Sequence, residues 1–258
     1  MRGGSATNDP KGILFPINDM LDEVRSAEAL ASPFLDNPQS FFHEVRTQLV
    51  GIRDHYREEL ISWEVPLEHC LRTRVSKGEH EKGSKGRWVV GHLAFKWQVR
   101  RVHPKKPRLP AKFLELIGIA STVVRIIHVD DEGALGEEIA MWRTEVGDAA
   151  SPGCHFHVQI RGESEELPFP KNLSVPRLPT CLTSPMASLE FMLGELFQDA
   201  WDKHISAQSN ERNTWRSIQR SRMEKLFAWH VKRIRGSDAS PWMALKAAKP
   251  DPDIFTAD

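Results

Sequence analysis

Between Val65 and Arg161 five segments place apolar residues at every second position, whereas the segments on either side repeat every third or fourth. That change of period is the feature that most restricts the fold, because successive side chains alternate across a strand but wind round a helix. The alternation is clearest in 88–101, where Val89, Leu93, Phe95, Trp97 and Val99 fall on one side and His92, Lys96, Gln98 and Arg100 on the other. The same period predicts strands over 65–75, 122–130, 139–146 and 154–161, separated by turns such as Asp131-Glu132-Gly133 and Ser151-Pro152-Gly153. Five consecutive strands with no long helix between them imply an antiparallel meander. One polar side implies that only one face is packed.

The flanks supply the packing. Phe42, Val45, Leu49, Ile52, Tyr56 and Leu60 form a stripe at helical spacing. Ser184-Pro185 is a helix-start signature, followed by Leu189, Met192, Leu193, Leu196, Phe197 and Trp201. A further helix is expected to end at Gly236. The expected fold is therefore α+β: a five-stranded antiparallel meander packed on one face by an N-terminal helix and C-terminal helices. Residues 1–38 read as a flexible segment with a short helix near Ile17 to Ala31, 39–236 as one domain (helix 40–62, sheet 64–162, proline-rich connection 163–184, helices 185–235), and 237–258 as a loose tail.

Composition narrows the function classes. Thirty-five basic residues balance thirty-five acidic ones, so only local clustering can speak for a nucleic-acid partner. The three cysteines lack a C-x-x-C spacing, which argues against a disulfide framework or a cysteine-rich zinc site. No apolar run suggests a leader or a membrane span, so the expected setting is the cytoplasm, with no membrane partner. Walker A, G-x-G-x-x-G, G-x-S-x-G and H-E-x-x-H patterns are absent.

Four places remain where function could sit. The unpacked sheet side would gather Arg72, Arg74, His92, Lys96, Arg100, His155, His157 and Arg161, a basic surface unless it is merely solvated or covered. Within it, His155 and His157 project from one side of a strand, so both imidazoles could bind a divalent metal, with His128, His92 or Glu145 as third ligand. The alternative is a pair of polar residues on an open face. The helix over 211–235 carries Arg216, Arg220 and Arg222 with Trp215 and Trp229 interleaved. That combination suits phosphate and base contacts, or equally a packed helix whose arginines pair with acids such as Glu190 and Asp199. The basic loop from His103 to Arg108 would extend a phosphate-binding surface.

Pro152-Gly153-Cys154-His155-Phe156-His157-Val158 resembles the metal-binding motif of relaxases and rolling-circle replication initiators. The resemblance covers only these few residues. It implies a metal held by His155, His157 and His128, and a nucleophilic tyrosine. Tyr56, the one tyrosine of the chain, would have to fill that role, although it sits in a helix's apolar stripe. Pro179-Thr180-Cys181-Leu182-Thr183 before a helix is loosely similar to the order of elements in ubiquitin-conjugating enzymes, without that family's asparagine motif.

The residues thus favour a binding domain whose basic, histidine-bearing sheet face and basic helix contact nucleic acid. A bacterial multi-protein system, such as phage defence or a mobile element, is the base-rate expectation for its setting. The alternatives are a metal-dependent phosphodiesterase centred on His155 and His157, and a structural subunit bound to a protein partner or a second copy.

Overall fold

A computed structural model describes residues 12–54, 60–78, 86–102, 112–147, 154–161, 177–247 and 249–256. Its frame is a meander of long strands: β6 (Trp88–Val102), β7 (Phe113–Val129), β8 (Leu135–Val146) and β9 (Phe156–Arg161), each antiparallel to the next. Short strands complete an open ten-stranded sheet. β1 (Ile13–Pro16) pairs with the start of β7, and β10 (Leu178–Pro179) pairs with β9. β3 (Ile61–Val65), β4 (Leu71–Thr73) and β5 (Ser76–Lys77) pair in succession along β6, and β2 (Leu35–Asp36) pairs with β4.

Helix α2 (Pro38–Asp54) and helix α3 (Pro185–Ser206) lie on one face of the sheet. Helix α1 (Ile17–Ala31) packs against both and against α4 (Asn210–Arg235), with the short α5 (Pro241–Ala247) beside α4. Val89, Leu93, Phe95, Trp97 and Val99 are buried as the alternation requires. At about 25 cal/mol per Å² of apolar surface, the sheet face and helix stripes supply the main driving force for folding.

The meander is richer than the expected five strands, for local reasons. Pro66 has no N–H to give to a ladder, and Leu67–His69 forms a 3-10 turn. The predicted strand 65–75 is therefore broken into pieces. The helix predicted over 40–62 gives way before Ile61, where Ile61, Trp63 and Val65 alternate as β3 against β6. β7 begins at Phe113 rather than near 122, because Phe113 to Leu116 is buried on both faces and shows no alternation. A bulge between Trp97 and Val99, with Gly118 at φ +83°, further hides its register.

The helix expected near Ile17 to Ala31 is present as α1, but the described parts of the two segments expected to be loose are packed onto the core. Ile13, Leu14 and Phe15 are all buried, and α1 turns a stripe from Ile17 to Leu30 inward. At the other end, Phe255 packs on Phe15 and Phe156, with ring centroids 5.1 and 5.9 Å apart. Leu14 N donates to Pro252 O at 2.8 Å. An apolar run of two or three residues has no period to read, so only the partner strand reveals it.

One glycine decides how closely α3 approaches. Gly91 faces the helices from the middle of β6, and a Cβ there would lie 2.6 Å from Met192 Sδ and 2.9 Å from Leu196 Cδ1. Gly91→Val should therefore overpack this contact and cost about 1–3 kcal/mol, read as a lower denaturant midpoint at unchanged m-value. An unchanged midpoint would mean that α3 does not ride on Gly91.

Candidate anion-binding face

The sheet face opposite α2 and α3 is organised by cross-strand register. One transverse row runs Asp36, Arg72, His92, Arg125, Met141 and Arg161 over β2, β4, β6, β7, β8 and β9. A second runs Glu64, Lys96, Ser121, Glu145 and His157 over β3, β6, β7, β8 and β9. Residues directly opposite in such rows have Cβ atoms about 4.5–5.5 Å apart and interact.

The second row and its neighbours neutralise themselves. Lys96 Nζ lies 3.1 Å from Glu64 Oε2, and Arg143 NH1 lies 3.4 Å from Glu145 Oε1. Arg100 binds the buried carboxylate of Glu115. Arg74 Nε donates to Leu35 O at 3.2 Å, which ties it to β2, but the side chain is exposed and keeps its charge. Of the predicted basic surface, Lys96, Arg100 and Arg74 are thus engaged with protein groups. Arg161 is placed by register at the end of the first row, across from Met141.

The first row behaves differently. Arg72 is exposed, and no acid pairs with it among the described residues. Arg125 Nε is 3.3 Å from Glu138 Oε2. Between the arginines His92 is half-buried, and its Nε2 is shielded from solvent with no hydrogen-bond partner. Burial, and then the charges of Arg72 and Arg125, hold the His92 imidazole below the ordinary histidine range, so it stays neutral near pH 7. The same two charges reach Cys70, but burial dominates and pushes its thiol up, away from thiolate chemistry. Like charges on either side of one strand cost stability, so the row keeps two guanidinium groups beside His92, with Asp36 across from Arg72 on the outer strand. Arg125 was missed by the sequence reading. The Val124-Arg125-Ile126 alternation would have placed it, had faces been assigned to that strand.

The histidine pair takes another course. His157 is 0% exposed. Its Nδ1 lies 2.8 Å from Cys154 O and its Nε2 lies 3.0 Å from Glu145 Oε2. Gln159 Nε2 donates to the same carboxylate oxygen at 2.9 Å. Both ring nitrogens lie within hydrogen-bond distance of protein groups, Nδ1 of Cys154 O and Nε2 of Glu145 Oε2 and Gln159 Nε2, so a metal would have to displace one of these contacts. His155 precedes β9 and instead lines a cavity of about 220 Å³ with Gly12, Leu116, Gly118 and Lys249. His128 pairs with Val89 near the far end of β7, whereas the residue across from Glu145 is Ser121. Seven residues at about 3.3 Å each separate them by roughly 23 Å.

The structure therefore does not assemble the expected metal centre from His155, His157 and His128. Among the described residues no group of three His, Cys, Asp or Glu side chains is placed to hold a metal ion. Tyr56 and the His103 to Arg108 loop lie outside the described residues. Cys181 is half-buried against the core cluster, the position of a packing thiol.

The basic helix is corrected as well. On α4 the buried residues are Trp215, Gln219, Arg222, Leu226 and Trp229, so neither tryptophan is free to stack on a base. Arg222 binds Glu23 of α1 at 2.8 Å, not an acid of α3. Arg220 pairs with Glu224 one turn on, at 2.8 Å, and Arg216 is exposed. Spacing alone places Arg216, Arg220 and Arg222 on adjacent turns, but packing against α1 decides which one turns inward.

No helix among the described residues is long and apolar enough to cross a membrane. The chain matches no family model, no curated protein and no solved structure.

Proposed function

We propose that this chain is a non-catalytic binding domain that takes an anionic partner, a nucleic-acid backbone, on the sheet face opposite its helices. The Arg72–His92–Arg125 row carries the reading: two arginines flank one histidine in register, and Arg72 is exposed with no carboxylate within ion-pair distance among the described residues, although Asp36 stands across from it on β2. Such a surface supplies the phosphate contacts that dominate nucleic-acid affinity. The buried His157 and the inward-turned Arg222 have structural roles in this reading.

The test is titration of a labelled single-stranded oligonucleotide at several salt concentrations. Each phosphate neutralised should contribute about −0.7 to the slope of log K against log salt. Arg72→Ala should weaken binding and reduce that slope by about that amount. Arg216→Ala, on the helical side, should leave binding unchanged. The opposite result, with Arg216→Ala harmful and Arg72→Ala silent, moves the footprint to α4; salt-insensitive binding removes the electrostatic reading altogether.

A further inference from the structure

We infer that Arg72, His92 and Arg125 form a seat for a single phosphate group, held over His92 between the two guanidinium groups; this deepens, and rests on, the anion-binding reading of the same face. Strands in a sheet lie about 4.8 Å apart, so the backbones of Arg72 on β4 and Arg125 on β7 stand about 9.6 Å apart with His92 midway. A group reaching both arginines must offer oxygens in divergent directions. The tetrahedral phosphate does so, whereas a carboxylate has two oxygens in one plane already matched by a single guanidinium fork. Arg72 is the exposed member. Arg125 Nε lies 3.3 Å from Glu138 Oε2, an ion pair that a bound phosphate would share.

His92 contributes a proton-linked donor. The charged or titratable groups facing it are Arg72 from β4, Arg125 from β7, Cys70 from the turn before β4, and Glu138 of β8 through Arg125. Asp36 stands across from Arg72, one strand further out. On its own strand the nearest residues of that face are Val90 and Ala94, which do not titrate. Burial first, and then the two arginines, disfavour a proton on the ring. A phosphate between them reverses the local potential and favours it. Binding therefore favours proton uptake at His92, which offsets the loss of affinity that protonation of the phosphate itself brings as pH falls.

The experiment is a titration of the full chain with inorganic phosphate, followed through the NMR signals of the His92 ring at several pH values. The expected result is a saturable shift at His92 and a rise of its pKa on binding. Arg72→Ala should weaken phosphate by about tenfold, the loss of one charge-assisted contact, with Lys96→Ala neutral. His92→Gln should keep some binding and retain only the pH dependence that the phosphate's own second ionisation imposes. No saturable shift, or the same shift with chloride at equal ionic strength, would overturn the seat and identify an adventitious ion only. Oligonucleotides bearing a 5′-phosphate or a 5′-hydroxyl separate the sources: preference for the former assigns a strand end, and equal affinity assigns internal phosphates. If phosphate saturates the seat but oligonucleotides do not bind, the nucleic-acid reading fails and the seat stands as a small-molecule site. If oligonucleotides bind through Arg72 but phosphate does not saturate, the seat fails and the face reading stands.

Discussion

Replacing Arg222 with alanine is expected to destabilise the fold by about 3–5 kcal/mol, the range for removing one partner of a buried ion pair. Glu23, on α1, is 0% exposed and Arg222, on α4, is 4% exposed. The Glu23 carboxylate also accepts from Gln219 Nε2 and from Ser184 Oγ, which itself caps α3 by accepting from Ala187 N at 3.1 Å. Three helices thus converge on one carboxylate. Without Arg222 the charge stays buried with only two neutral donors, and α1, α3 and α4 lose their common fastening. Chemical denaturation measures the loss directly. The double variant Glu23→Leu with Arg222→Leu should recover much of it, because the unpaired charge is then gone. A cost below about 1 kcal/mol for Arg222→Ala would mean that water reaches Glu23.

His157→Ala is expected to cost about 2–4 kcal/mol, from a cavity at a fully enclosed position plus stranded acceptors at Cys154 O and Glu145. Burial pushes the Glu145 carboxyl up, but the His157 hydrogen bond and the Arg143 and His157 charges outweigh it and hold the group below the ordinary glutamate range. The sign follows: the folded state holds this proton less tightly than the unfolded chain. The stabilisation is full above about pH 4.3 and is lost as pH falls through the lower folded value. The acid limb of the stability curve should therefore shrink in His157→Ala. Thermal melts with and without zinc should coincide, since both ring nitrogens are occupied. A melting temperature that rises with zinc would restore the metal reading.

What could be read without coordinates was whatever repeats. The period of two in 88–101 predicted the buried side of β6 residue by residue, and Ser184-Pro185 predicted the start of α3. Non-repeating features were invisible. β1 and β10 have four and two residues and exist because β7 and β9 offer free edges. Phe255 is buried because it meets Phe15 and Phe156, two residues more than ninety positions away.

The candidate site divides along the same line. Alternation by itself determined which residues of β6 face away from the helices, and so put His92, Lys96 and Arg100 on the second face. It also determined the antiparallel meander, because closely spaced strands have no crossover available. Which of those charges remains open was decided only by tertiary structure. Lys96, Arg100 and Arg222 found acids from β3, β7 and α1, while Arg72 found none among the described residues. The reason is physical: a face is a property of one strand's backbone, whereas neutralisation depends on what register and packing bring across from another. His157, placed by its own strand on the same face as His92, was taken out of play by Glu145 on the strand beside it.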